Sequence, residues 1–268
     1  MSPIQPVLFF GHGSPMTTLT SNRYTDAWKT IGQTIVQPKA ILCISAHWYV
    51  SGSAVTVSTA PETIHDFGGF PQALYNIHYP ALGSPALARR VQALLSPLKV
   101  DLSTQWGLDH GTWSVLRHTH PAADIPVVQL SIDGMKPAMY HYEIGKRLAP
   151  LREDGVLIIG SGNLVHNLWA YSRDPGAKAF DWATRFDAQA RELLRAGQFE
   201  ALVHYEKLGK DAELSIPTPD HYLPLLYVLG AADKHEPIQF PVEGIDGASV
   251  SMLTVLIGEF ATDSSIPT

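Results

Sequence analysis

Short apolar runs alternate along the chain with longer amphipathic stretches. The runs at Val7–Phe10, Ala40–Ser45, Val55–Ser58, Val127–Ile132, Val156–Ile159 and Val250–Ile257 are brief, rich in Val, Ile or Leu, and mostly bounded by Gly, Pro or Ser. This is the pattern of buried strands. Helical spacing of apolar positions predicts helices over Arg23–Gly32, Pro85–Leu95, Thr112–Arg117, Pro137–Leu151, Trp182–Ala196 and Tyr222–Leu229. Ser84-Pro85 and Thr218-Pro219 each supply a capping hydroxyl followed by proline, and Asp181 a capping carboxylate. Strands alternating with helices predict an α/β fold with a mainly parallel central sheet covered by helices on both faces. No Ser/Gly-rich or charged linker interrupts the pattern, which predicts a single domain over residues 1–268.

The stretch from Ala60 to Ser84 breaks the alternation. It carries Pro61, Gly68, Gly69, Pro71, Pro80 and Gly83 and little helix or strand signal. A loop of this length inside a compact domain reads as a lid or binding loop. Phe67, Phe70, Tyr75 and Tyr79 within it either wall an aromatic pocket or anchor the loop on the body.

Composition narrows the chemistry. With 45% hydrophobic and 16% charged residues the chain is not disordered. A formal charge of −6 without a Lys/Arg cluster argues against nucleic acid as a partner. No apolar run approaches the ~18 residues that a membrane-spanning helix requires, and the N-terminus has no basic n-region, so a soluble cytoplasmic protein is expected. A single cysteine, Cys43, excludes a disulfide framework, and its place in an apolar strand makes it an inert core residue. Twelve histidines are the unusual number. With one thiol and many imidazoles, any metal is expected to bind through nitrogen.

In an open α/β sheet, ligands sit beyond the carboxyl ends of the strands. Three histidines follow directly on predicted strands: His12 in Gly11-His12-Gly13-Ser14-Pro15, His47 in Ala46-His47-Trp48, and His166 in Gly160-Ser161-Gly162-Asn163-Leu164-Val165-His166. His221 falls in the first turn of a predicted helix, and His110 in the loop Gly107-Leu108-Asp109-His110-Gly111. Convergent imidazoles of this kind suit Zn(II), Fe(II) or Cu. His65, His78, His118, His120, His141, His204 and His235 keep an ordinary structural reading. There is no HExxH, P-loop or nucleophile elbow. Gly11-His12-Gly13 and Gly160-Ser161-Gly162 each begin like a dinucleotide fingerprint, but Met16 and Val165 stand where the third glycine belongs.

Several motifs together resemble a known family. Gly11 to Met16, Ser45-Ala46-His47-Trp48 and His65-Asp66-Phe67-Gly68-Gly69-Phe70-Pro71 closely resemble the DODA-type extradiol ring-cleavage dioxygenases. Gly107 to Trp113, Ser161-Gly162-Asn163 with His166-Asn167-Leu168, and Pro217 to Tyr227 agree with that family and follow its order. The resemblance runs from about Val7 to Gly258 and extends to the class III protocatechuate 4,5-dioxygenase catalytic-subunit superfamily.

The resemblance implies one α/β domain with a non-haem divalent metal, Zn(2+) or Fe(2+), at the carboxyl edge of the strands. It implies His12, His47 and His221 as ligands. His166 is implied as the histidine that takes a substrate proton and as a fourth ligand in resting forms, and His110 as the imidazole that hydrogen-bonds substrate or dioxygen. Phe67, Phe70 and Pro71 would face the ring of a DOPA-like catechol, cleaved with O2 to a muconic semialdehyde. The wider superfamily uses two histidines and a glutamate. A third histidine here adds one net positive charge, which favours a dianionic catecholate and lets zinc compete with iron. Two other classes stand beside this reading: a Memo-like metal-binding interaction protein, and a zinc hydrolase.

Overall fold

The computed structural model describes residues 4–174 and 176–259. Its strands are β1 (Val7–Gly11), β2 (Ala40–Val50), β3 (Ser53–Thr56), β4 (Val100–Ser103), β5 (Val127–Asp133), β6 (Val156–Gly162), β7 (Ile238–Val242), β8 (Ile245–Asp246), β9 (Val250–Ser251) and β10 (Thr254–Ile257). Its helices are α1 (Arg23–Thr34), α2 (Gln72–Tyr75), α3 (Pro85–Leu95), α4 (His110–Thr119), α5 (Ala138–Leu148), α6 (Pro150–Glu153), α7 (Asp181–Arg195), α8 (Phe199–Val203), α9 (Lys210–Ser215) and α10 (Leu223–Ala231).

Eight strands form one sheet in the order β4-β3-β5-β2-β6-β1-β10-β7. The central four, β5-β2-β6-β1, pair in parallel, as does β4 with β3. Antiparallel pairings join β3 to β5 and attach β10 and β7 at the other edge. This is the mainly parallel α/β sheet that the apolar runs predict. The central strands are buried on both faces, so alternate residues enter separate cores. Val7, Phe9, Leu42, Ile44 and Ile158 pack with α3, α5, α7 and α10. Leu8, Phe10, Ile41, Cys43, Leu157 and Ile159 pack with α1, α4 and the loop around Tyr79. Cys43 is buried, and burial pushes its thiol up, consistent with an inert core residue.

Several boundaries differ from the sequence expectation. Strand β2 continues five residues past Ser45, through His47. Helix α4 begins two residues early because the buried Asp109 carboxylate caps it at the Thr112 amide, so His110 opens a helix rather than sitting in a loop. The run Val250–Ile257 is divided: β9 pairs with β8 while β10 joins the main sheet. The predicted helix Pro137–Leu151 divides at Ala149, where Pro150 starts a new short turn. Asp181 is the first residue of α7, not its cap. Thr218-Pro219 does not start α10. That helix is buried on all sides and begins at Leu223, leaving His221 in the turn just before it.

Candidate metal centre

The carboxyl ends of β1, β6 and β2 lie side by side, with β6 in the middle. Ser161 of β6 is in register with Phe10 of β1 on one side and Ser45 of β2 on the other. His12 leaves β1 with its amide donating to the Gly162 carbonyl at 3.0 Å. His47 stands where the pairing of β2 with β5 shifts register between Ile44 and Tyr49. Such a bulge turns a strand side chain toward a site that regular pleating would not reach. His221 is brought onto β6 by two glycines. A Cβ on Gly160 would lie 2.5 Å from the Pro224 carbonyl oxygen, and one on Gly162 would lie 2.1 Å from that of His221. The Gly160-Ser161-Gly162 sequence therefore seats the His221 turn against the sheet, and no dinucleotide role is needed to explain it.

One ring nitrogen each from His12, His47 and His221 lies within 4.8 Å of the other two. The hydrogen bonds fix which nitrogen that is. The Ser161 hydroxyl donates to the Gly111 carbonyl at 2.5 Å, and a carbonyl can only accept. At 3.0 Å from His12 Nδ1 the same oxygen must then accept, so His12 carries its proton on Nδ1 and Nε2 is bare. His221 Nδ1 donates to the Asp220 carboxylate. The Asp66 carboxylate lies 3.2 Å from His47 Nδ1 and accepts from His110 Nδ1 at 2.9 Å and from the His110 amide at 2.8 Å.

His12 and His221 thus have an Nδ1 hydrogen-bond partner that leaves Nε2 bare, and the Asp66 carboxylate lies beside His47 Nδ1, an arrangement in which outer carboxylates and hydroxyls orient imidazoles for metal binding. His12 Nε2 and His47 Nε2 face each other at 3.1 Å. With His12 Nε2 bare, a proton on His47 Nε2 bridges the pair in the metal-free protein, and a cation can take that proton's place between the two nitrogens. The donor set fits a divalent metal of intermediate softness.

Electrostatics support ligand-competent imidazoles. Burial, reinforced by the neighbouring histidines, holds His12 and His47 well below the usual imidazole range, so both are neutral near pH 7. Burial and the nearby His221 bring His166 down to about 3. Burial pushes the Asp66 and Asp220 carboxyls up, but their hydrogen bonds to His110 and His221 outweigh it and leave both below the ordinary value.

His166 stacks face to face on His221, with centroids 3.5 Å apart, and its ligand atom groups with Asp220 and His221 rather than with His12 and His47. His110 lies 3.8 Å from His47 between ring centroids and meets Phe67 edge-on at 5.4 Å. All five histidines line one cavity of about 750 Å3, walled also by Phe67, Phe70, Leu168, Tyr171 and Arg173.

Pro71 is outside this wall, exposed at the start of α2. Tyr79 anchors the loop instead, donating to the His120 carbonyl at 2.9 Å, while Tyr75 packs behind Phe67. His65 likewise belongs to the loop's support, 3.0 Å from the Ile77 carbonyl.

Asp66, Asp220 and Ser161, which hold the imidazoles, are not among the site residues expected from the sequence. Adjacency in Asp220-His221 was a usable signal. The Asp66–His110 and Ser161–His12 contacts span 44 and 149 residues and had none.

Comparison with known proteins agrees with this geometry. Residues 7–251 match the family model described as the catalytic LigB subunit of aromatic ring-opening dioxygenase. The chain is 52% identical over 257 residues to 4,5-DOPA dioxygenase extradiol of Escherichia coli (strain K12), covering 94% of each chain. It is 37% identical over 258 residues to the protein of the same name in Beta vulgaris, covering 92% of this chain and 94% of that one. A crystal structure of an uncharacterized protein from Escherichia coli K12 superposes with a TM-score of 0.84 at 47% identity, covering 95% of this chain and all of the other. With a cluster of histidines gathered at the carboxyl edge of the sheet and residues 7–251 matched by the family model, the chain belongs to the LigB family of aromatic ring-opening dioxygenases.

Proposed function

We propose that the protein is an extradiol dioxygenase that opens the ring of a DOPA-like catechol with O2 to give a muconic semialdehyde, working in the cytoplasm with Fe(2+) in its single catalytic domain. The observation that carries this is the trio of converging imidazoles, His12, His47 and His221, in the wall of a cavity lined also by aromatic rings and by two further imidazoles. His12, His47 and His221 hold the metal. A divalent metal there would supply Lewis acidity toward the diol and, as iron, the one-electron chemistry that dioxygen requires and zinc lacks.

The chain's own groups do the rest. Phe67 and Phe70 pack against the aromatic ring and exclude water. His166, stacked on His221 in the cavity wall, is placed to take a hydroxyl proton as the catechol binds. His110 has its Nδ1–H held by Asp66, so Nε2 faces the cavity as an acceptor. A proton taken there is paired with the Asp66 carboxylate, as in catalytic histidine–carboxylate dyads. That suits His110 to hold and return a proton at substrate or dioxygen.

The test is to reconstitute metal-free protein anaerobically with Fe(II) or Zn(II), add 3,4-dihydroxyphenylalanine and air, and follow visible absorbance with oxygen uptake. Yellow product and one O2 consumed per catechol are expected with Fe(II) only. Tight metal binding without oxygen uptake would refute ring cleavage and favour a metal-binding interaction protein. Turnover in the anaerobic cuvette would favour a zinc hydrolase.

A further inference from the structure

The cavity holds one charged group that neither metal binding nor proton transfer uses. Among the described residues, Arg173 is the only Lys or Arg side chain in its wall. It lies on the segment that follows His166, after the single turn Leu168–Ala170. That segment is pinned: the Ser172 amide donates to the Gly247 carbonyl at 2.8 Å, and the Tyr171 hydroxyl donates to Asp246 at 3.3 Å. The backbone that carries the guanidinium is therefore fixed relative to the metal site.

Nothing among the described residues neutralises Arg173. It takes part in none of the ion pairs found there. Asp174 accepts from the Gly176 amide and Asp246 from the Tyr171 hydroxyl, and neither forms an ion pair with Arg173. The carboxylates nearest the histidines, Asp66 and Asp220, are held by imidazoles. Arg173 is exposed at the wall of the cavity whose histidines would bind the diol end of a catechol, and a guanidinium there with an open fork matches a carboxylate elsewhere on the same substrate.

We propose that Arg173 is the specificity-determining residue that binds a side-chain carboxylate, so the site selects catechols bearing a carboxylate over neutral catechols of similar size. This rests on the catechol reading of the site, and it names the part of the molecule that the cavity reads beyond the diol.

The experiment compares 3,4-dihydroxyphenylpropionate with 4-ethylcatechol in the full-length protein and in the R173Q and R173K variants. Fe(II)-loaded enzyme gives kcat/KM in air, and Zn(II)-loaded enzyme gives Kd by anaerobic titration of the catechol absorbance. A lost charge-assisted hydrogen bond corresponds to about a ten- to hundredfold effect. Arg173→Gln should lower the carboxylate-to-neutral ratio of kcat/KM and of 1/Kd by that factor, and Arg173→Lys should recover part of it. Ratios within twofold of wild type in R173Q, or equal losses on both substrates, would overturn the assignment. Protein that binds both catechols without consuming oxygen would refute ring cleavage, while the Kd ratio would still decide the role of Arg173. Failure of wild type to bind either catechol would overturn both.

Discussion

Ser161→Ala isolates the tautomer of His12. Ser161 is fully buried and its hydroxyl has two partners, the His12 ring at 3.0 Å and the Gly111 carbonyl at 2.5 Å. In wild type the hydroxyl oxygen accepts the Nδ1 proton and leaves Nε2 bare. In the variant, the metal-free ring can move its proton to Nε2 and donate it to His47 Nε2, 3.1 Å away. Metal binding then requires that proton to return to Nδ1, where it faces a methyl group. A buried unpaired N–H costs about 1–3 kcal/mol, so metal affinity should weaken by about five- to 150-fold. That range covers the 10–100-fold typical when an outer partner of a metal ligand is lost. The fold itself should lose only about 1 kcal/mol, for the bond to Gly111. Competition against a chromophoric chelator measures Zn(II) affinity, and urea unfolding of the metal-free protein measures the second effect. A Kd within twofold of wild type would refute the claim that Ser161 sets the reactive nitrogen of His12.

Two further outcomes follow from other parts of the molecule. Gly162→Ala would place a Cβ 2.1 Å from the His221 carbonyl oxygen, and the turn must retreat by about 1 Å to reach ordinary contact. We expect about 1–3 kcal/mol of destabilisation in urea unfolding and weaker metal binding. Unchanged affinity would mean that His221 does not depend on this close approach. His141 is buried between the Tyr227 hydroxyl at 2.9 Å and the Lys136 carbonyl, and burial holds its imidazole down at about 4 against the ordinary 6.5. Above pH 6.5 the ring is neutral in both folded and unfolded chains and has no effect. From pH 6.5 down to 4 the unfolded chain takes up a proton that the folded one does not, so His141 subtracts up to about 1.4 kcal/mol per pH unit, then levels off. The fall in metal-free stability over that window should be shallower in His141→Gln by about this amount. Equal slopes would refute it.

The residues that converge on the cavity were largely legible because they sit where chain geometry delivers them. His12 follows an apolar strand and its closing glycine, and His47 lies in the extension of another past Ser45, so parallel pairing through β6 brings both toward one edge. The aromatic loop announced itself through its prolines, glycines and phenylalanines, although Phe67 and Phe70 reach the cavity while Pro71, next in sequence, does not. Short strands at the sheet edges, β4 and β7, were not legible. They have few buried residues, and pairing with neighbours, rather than their own pattern, makes them strands.

Local physics in the sequence determined the elements: strands buried on both faces, helices with one apolar side, and turns where glycine and proline demand them. Tertiary structure decided everything that joins distant residues. The bulge that aims His47 exists only against β5, and the buried position of α10 exists only against β6 and α5. Ser161 and Asp66 each meet an imidazole supplied by a distant part of the chain, His12 and His110, and only Asp220 finds its partner, His221, next to it in sequence. A hydrogen bond is set by angstroms in space, and sequence separation does not encode it.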